Sequence, residues 1–177
     1  MNVLVVVDMQ NDFVSGALGT AEAVGIVPYV VGRVVDGINR GETILFTRDT
    51  HEENYMDTQE GHKLPVPHCI RGTEGWEIIP QLQEYTVGRE IVDKPTFGSE
   101  KLAKLLAELD REEPVEKITF LGLCTDICVI SNALLVKAFL PEMEIFVDAS
   151  CCAGVTPESH QNALAAMKTC QITVENE

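Results

Sequence analysis

With 177 residues and 45% apolar content, the chain can bury one full-sized core, and no stretch reads as a linker; one domain over 1–177 is expected. A formal net charge of −15 repels phosphate backbones and anionic bilayers, so neither nucleic acid nor membrane is an expected partner. The longest apolar run near the N-terminus, VLVVV, ends at Asp8, lacks a basic flank and is too short for a signal peptide or a span. That predicts a cytoplasmic protein whose six cysteines stay reduced rather than forming a disulfide framework.

In chain order, NVLVVVD (2–8) reads as a strand and AVGIVPYVVGRVVDGINR (23–40) as a helix. ETILFTRD (42–49) and REIVDK (89–94) follow as strands, then the helix FGSEKLAKLLAELDREE (97–113). KITFLGL (117–123) is a strand leading into the helix CTDICVISNALLVKAF (124–139), whose apolar faces, as in ALLVKAF, suit self-association into a homo-oligomer. EIFVDAS (144–150), the helix PESHQNALAAMKT (157–169) and QITV (171–174) complete the series. The alternation predicts a three-layer α/β/α fold on a mostly parallel, Rossmann-like sheet, with its ligand site beyond the carboxyl ends of the strands.

The residues ending those runs are Asp8, Asp49, Lys94, the Cys124 to Cys128 segment and Asp148, and they are expected to meet on one edge. No GxGxxG follows the first strand and no Walker loop is present, so nucleotide binding loses its usual support. For Asp148 alone, a turn or cap role is the plainer reading. In CTDICV, Thr125 or Asp126 can cap the next helix, which sets Cys128 in its first turn where the macrodipole favours thiolate. Cys128 is therefore the candidate nucleophile and Cys124 a small buried residue.

No histidine ends a strand in the pattern of a Cys–His pair; Asp8 and Lys94 remain as proton acceptor and charge partner. Asp49 and His51, two apart at a strand end, can face one ion, and His68 can join from the next loop. A dithiol redox protein is the alternative of another class, through Cys124 with Cys128 or through Cys151 with Cys152. It is disfavoured because C-x-x-x-C is not C-x-x-C and because Asp8 and Lys94 would then lack purpose. A noncatalytic α/β binding domain would leave the same two residues unexplained.

Three segments together resemble the isochorismatase-like cysteine hydrolases, and among them the nicotinamidase/pyrazinamidase branch: VVVDMQNDFVSGALG (5–19), DKPTFGS (93–99) and GLCTDICV (122–129). The resemblance spans nearly the whole chain. It implies a catalytic triad of Asp8, Lys94 and Cys128, a cis peptide between Leu123 and Cys124, and an oxyanion hole from the N–H groups of Cys124 and Cys128. PHCIRGT (67–73) matches the branch's metal segment, implying one divalent ion, Zn²⁺ or alternatively Fe²⁺ or Mn²⁺, on Asp49, His51 and His68. Glu60 is the implied fourth ligand, with His62 and Asp57 as competitors. The implied partner is a small-molecule amide, nicotinamide foremost, hydrolysed through a cysteine thioester and held by Phe13, Phe97 and Leu123. One departure is Pro65, where relatives stack an aromatic ring on the substrate; another small amide or carbamoyl compound is the alternative.

Overall fold

The computed structural model describes all 177 residues. The elements run β1 (Asn2–Val7), α1 (Asn11–Val14), α2 (Ala21–Asn39), β2 (Thr43–Asp49), α3 (Gln59–Lys63), α4 (Pro80–Gln83) and β3 (Ile91–Lys94). They continue through α5 (Glu100–Glu112), β4 (Lys117–Leu123), α6 (Ile130–Phe139), β5 (Ile145–Ala153), α7 (Pro157–Thr169) and β6 (Thr173–Glu175). All six strands pair in parallel, in the order β3-β2-β1-β4-β5-β6. Helices α5, α6 and α7 pack side by side, while α2 lies against β2, β4 and β5, giving the expected three layers. No helix is long and apolar enough to cross a membrane.

The strands form because their side chains are buried on both faces: Val3 to Val7 are essentially inaccessible, as a central parallel strand requires. The helices start at side-chain caps. Thr20 Oγ1 accepts from Ala23 N at 3.0 Å, Ser99 Oγ from Leu102 N at 3.1 Å, and Thr156 forms a reciprocal capping box with Ser159 ahead of Pro157. α5 shows the amphipathic logic plainly, burying Leu102, Ala103 and Leu106 under an otherwise charged helix.

The sheet order reverses between β1 and β4, the switch point where α/β folds bind ligands. Gly122 makes that junction possible. Its φ of +115° suits glycine, and a Cβ there would collide with the Val7 backbone, so β4 can close on β1 beside Asp8 only without a side chain.

One strand end departs from expectation. β5 runs on to Ala153, and its pairing with β4 jumps from Phe120–Val147 to Gly122–Cys152. Asp148 is therefore inside the strand, opposite Glu175 of β6, where its Oδ1 accepts from Ser150 Oγ at 2.8 Å. The bulge moves it away from the edge it was expected to join.

Candidate active site and metal centre

Four strand ends deliver side chains to one place. Asp8 follows β1 in the left-handed region, φ +46°, which aspartate tolerates better than most residues. Thr47 of β2 fixes it twice, accepting from Asp8 N at 3.2 Å and donating to Oδ1 at 2.6 Å. Asp8 Oδ2 lies 2.6 Å from Lys94 Nζ in an ion pair whose alignment falls short of a hydrogen bond, so this oxygen keeps a lone pair free. Lys94 Nζ also reaches Cys128 Sγ at 3.3 Å, Thr96 O at 3.2 Å and Asp49 Oδ1 at 3.4 Å. Asp8, Lys94 and Cys128 thus form one buried cluster, as the sequence predicted.

The electrostatics correct one expectation. Burial first and the Asp8 charge second push the Cys128 thiol well above its usual range, and Lys94 offsets only part of this. Burial and the Asp8 charge therefore oppose the thiolate that a helix terminus by itself would favour. Burial also raises the Asp8 carboxyl, with Lys94 opposing and Asp49 adding to the rise. Lys94 stays charged: burial works against it, but Asp8, Cys128 and Asp49 hold the ammonium well above the lysine range.

The nucleophile segment is also built differently from an ordinary capped helix. The Leu123–Cys124 peptide is cis, as anticipated, and Thr125–Val129 is a π-helical turn preceding α6. Neither expected cap acts as one. Thr125 Oγ1 bonds His160 Nδ1 at 2.7 Å, and the Asp126 carboxylate accepts from Val155 N at 3.1 Å, so both tie the turn to the β5–α7 corner. Cys124 O instead takes Ile127 N and Val129 N, both at 3.1 Å.

Beside the triad, Asp49, His51, Glu60 and His68 bring one donor atom each to within 4.8 Å of one another. Asp49 and His51 arrive at the end of β2. His68 arrives because the chain at Cys69–Arg71 pairs alongside His51, with His51 N donating to Cys69 O and Arg71 N to His51 O. Asp12 anchors the same loop by accepting from Cys69 N at 2.8 Å. Glu60 comes in on α3, which sits close on the turn at Tyr55–Asp57 because Gly61 has no Cβ to strike Tyr55 O. His62 and Asp57, the competitors for this position, are exposed and outside the cluster.

The four groups fit a divalent ion. The four histidine–carboxylate separations run from 3.0 Å (His51–Asp49) through 3.6 Å (His51–Glu60 and His68–Asp49) to 3.7 Å (His68–Glu60). The edge of a tetrahedron with N/O bonds of the length zinc makes is about 3.3 Å. His68 Nδ1 donates to Val66 O at 2.8 Å, which leaves Nε2 a lone-pair donor facing the cluster. Two imidazoles and two carboxylates suit Zn²⁺, Fe²⁺ or Mn²⁺. Asp49 joins the two centres, turning Oδ2 to the histidines and Oδ1 to Lys94.

Both centres open into one cavity of about 360 Å³. Cys124, Cys128, Asp49, Glu60 and His68 line its polar side. Phe13, Phe97, Leu18, Leu64 and Ile127 form apolar walls, so two expected substrate contacts are placed there. The third is not: Leu123 ends β4 with its side chain in the core, continuing the strand's unbroken burial. Pro65 is exposed, and the neighbouring Leu64 takes the wall position.

Sequence reasoning missed three residues here. Gln10, fully buried, mimics a strand by accepting from Asp49 N at 2.7 Å and donating to Asp49 O and Trp76 O, each at 2.8 Å. Tyr55 sets its ring edgewise on His51 and His68 and donates to Leu64 O at 2.8 Å. Asn132 bridges the Cys128 and Phe97 carbonyls. An apolar-to-polar break inside a helix or strand pattern was the available signal for Gln10 and Asn132; Tyr55 offered none.

The fold and site define a parallel α/β protein with a cysteine–aspartate–lysine cluster at its switch point. The chain belongs to the isochorismatase domain family, whose model matches residues 2–176. It is similar to the zinc complex of a Pyrococcus horikoshii pyrazinamidase, at 28% identity and TM-score 0.82 over 99% of each chain. A Bacillus subtilis nicotinamidase/pyrazinamidase aligns at 27% identity and TM-score 0.84, again over 99% of each chain. The nicotinamidase of Escherichia coli K12 is 26% identical over 192 aligned residues, 93% of this chain and 89% of the relative.

Proposed function

We propose that this protein is a metal-containing amidohydrolase that converts nicotinamide and water to nicotinate and ammonia through a thioester on Cys128. One observation carries the reading: Cys128, backed by Asp8 and Lys94, and three members of the four-donor cluster, Asp49, Glu60 and His68, line the same cavity. A carboxamide bound there by a ring nitrogen on one side presents its carbonyl carbon to the sulfur on the other.

The chemistry follows from the protonation states. Asp8 Oδ2, with its free lone pair, takes the thiol proton as Cys128 Sγ bonds to the carbonyl carbon. The negative charge passes to the carbonyl oxygen, which the N–H groups of Cys124 and Cys128 are placed in sequence to receive. Asp8 then returns its proton to the amide nitrogen, the C–N bond breaks, and ammonia leaves a thioester. Water attacks that thioester, Asp8 taking its proton; the C–S bond breaks and the sulfur recovers the proton. Lys94 stays an ammonium throughout, holding Asp8 beside the sulfur and balancing whichever of the two is charged.

Asp49, His51, Glu60 and His68 would hold the ion. When bound, a divalent ion, Zn²⁺ in this reading, would supply Lewis acidity beside the cavity for a ring nitrogen or a water. The apolar walls meanwhile exclude bulk water from the acyl group.

Ammonia release from nicotinamide and pyrazinamide, measured for the native chain, for Cys128→Ala and after chelation, tests the proposal. The expected outcome is turnover by the native chain, none by Cys128→Ala, and loss on chelation with recovery on adding metal. Turnover surviving in Cys128→Ala refutes the nucleophile. A second reading, hydrolysis of a different small amide or carbamoyl compound, draws on Leu64 and exposed Pro65 standing where an aromatic ring was expected. No turnover of nicotinamide by metal-loaded protein would favour it.

A further inference from the structure

We infer that Asn132 is a positioning residue that fixes the nucleophile turn against the segment carrying Lys94 and Phe97. The inference rests on Cys128 being the nucleophile.

Asn132 lies on α6, four residues after Cys128, and is wholly buried. All its amide groups are committed. Nδ2 donates to Cys128 O at 2.8 Å and to Phe97 O at 3.0 Å, and Oδ1 accepts from Ser99 N at 2.9 Å. The amide orientation is fixed by chemistry, since two carbonyls must face the NH₂ and one N–H must face the oxygen.

Those partners belong to two separate catalytic segments. Cys128 sits in the π-helical turn after β4, whereas Phe97 and Ser99 follow Lys94 and Pro95 after β3. Lys94 Nζ itself donates to Thr96 O, so the loop at 94–99 carries the ammonium, its backbone support and a wall of the substrate cavity as one piece. Gly98 packs close on the Ser131 backbone, where an added Cβ would stand 3.2 Å from Ser131 O, and Asn132 closes the contact beside it. β3 and β4 are joined in the sheet only through β2 and β1, so no direct ladder between them sets the distance between Lys94 Nζ and Cys128 Sγ. The side chain of Asn132 sets it instead. An error of about 1 Å at such a contact can cost about 100-fold in rate.

The isosteric pair Asn132→Thr and Asn132→Val tests this. A threonine hydroxyl in a helix can donate to the carbonyl four residues back, here Cys128 O, and valine cannot. Each variant is assayed with nicotinamide for kcat and KM per titrated folded protein, beside Thr20→Ala, which loses only the α2 cap and lines no part of the cavity. Asn132→Val should lower kcat about 100-fold with KM changed less than about threefold, and Asn132→Thr, which keeps the bond to Cys128 O but no tie to Phe97 or Ser99, should fall to within about tenfold of the valine variant's kcat. Thr20→Ala should lower Tm and leave kcat alone. Wild-type kcat in Asn132→Val with only Tm reduced, a loss confined to KM, or native kcat in Asn132→Thr would each overturn the inference. If Asn132→Val does not fold, Asn132→Thr against the native chain decides by the same separation of kcat from KM. Should nicotinamide not be the substrate, iodoacetamide labelling of Cys128 decides independently. The labelling profile should move to higher pH in the variant as Lys94 leaves the sulfur, and an unmoved profile refutes the inference.

Discussion

Replacing Asp8 with asparagine should make Cys128 more reactive toward iodoacetamide while abolishing amide hydrolysis. The opposite signs come from the two roles of one carboxylate. In the resting protein its charge is, after burial, the main cause that keeps Cys128 protonated. Since Lys94 Nζ lies 2.6 Å from Asp8 Oδ2 and 3.3 Å from Cys128 Sγ, carboxylate and sulfur stand no more than about 6 Å apart. At an effective dielectric near 20, two unit charges at about 6 Å repel by about 3 kcal/mol. Asparagine removes that repulsion and leaves Lys94 beside the sulfur, so the thiol's pKa falls.

At neutral pH the thiolate fraction then rises about 100-fold, but a thiolate of lower pKa is less nucleophilic, with a Brønsted slope of about 0.4–0.5, which leaves roughly a tenfold gain in labelling rate. Mass spectrometry of the Cys128 peptide against time and pH gives both numbers. The sign is explicit: the native protein should label slowly at neutral pH and faster as pH rises, and the variant's profile should sit at lower pH. Hydrolysis should fall by about 10²–10⁴, because nothing remains to shuttle the proton to ammonia. Slower labelling in Asp8→Asn than in the native chain would refute the argument, because it would mean that Asp8 already activates the thiol at rest.

Glu60→Ala should lower bound metal per chain, read by elemental analysis after dialysis, whereas His62→Ala should not, because only Glu60 reaches the histidine pair. Gly122→Ala should destabilise the fold by about 3 kcal/mol or more in chemical denaturation, since it adds both a disfavoured backbone angle and a collision with β1. Gln10→Leu should reduce metal affinity about 10–100-fold without touching the ion's ligands, as it frees the Asp49 backbone it now holds; calorimetric titration of metal-free protein with Zn²⁺ reads this. Thr125→Val should cost about 1–3 kcal/mol by stranding the His160 ring nitrogen, measured as a shift in denaturation midpoint.

The strand ends were legible because parallel strands buried on both faces have to be largely apolar runs: Asp8 is the first polar residue after VLVVV, while Asp49 and Lys94 close the short runs ILFTRD and IVDK just behind the less buried Arg48 and Asp93. Asp148 breaks the rule for a physical reason: a bulge lets β5 carry a buried carboxylate mid-strand with its own Ser150 donor. The charge state of Cys128 was not legible at all. A helix terminus is a local feature of sequence, but the burial and the facing carboxylate that outweigh it come from β1 and β3, distant in the chain. Leu123 was misplaced for the same kind of reason, because the turn of the chain at Cys124 decides which neighbour faces the cavity.

Asp49 shows why the two centres form a single device. Were it only a metal ligand, Lys94 would face Asp8 and the sulfur alone; were it only a partner of Lys94, the histidine pair would have Glu60 as its sole carboxylate. Sharing one carboxylate between them makes the field at Lys94 depend on what the histidines hold. A cation on that cluster draws on the Asp49 charge, weakens its pull on Lys94, and leaves the ammonium more fully engaged with Asp8 and the sulfur. Metal loading should therefore lower the pH at which Cys128 labels, even with no amide present. A labelling profile identical with and without the ion would show instead that the two clusters work independently.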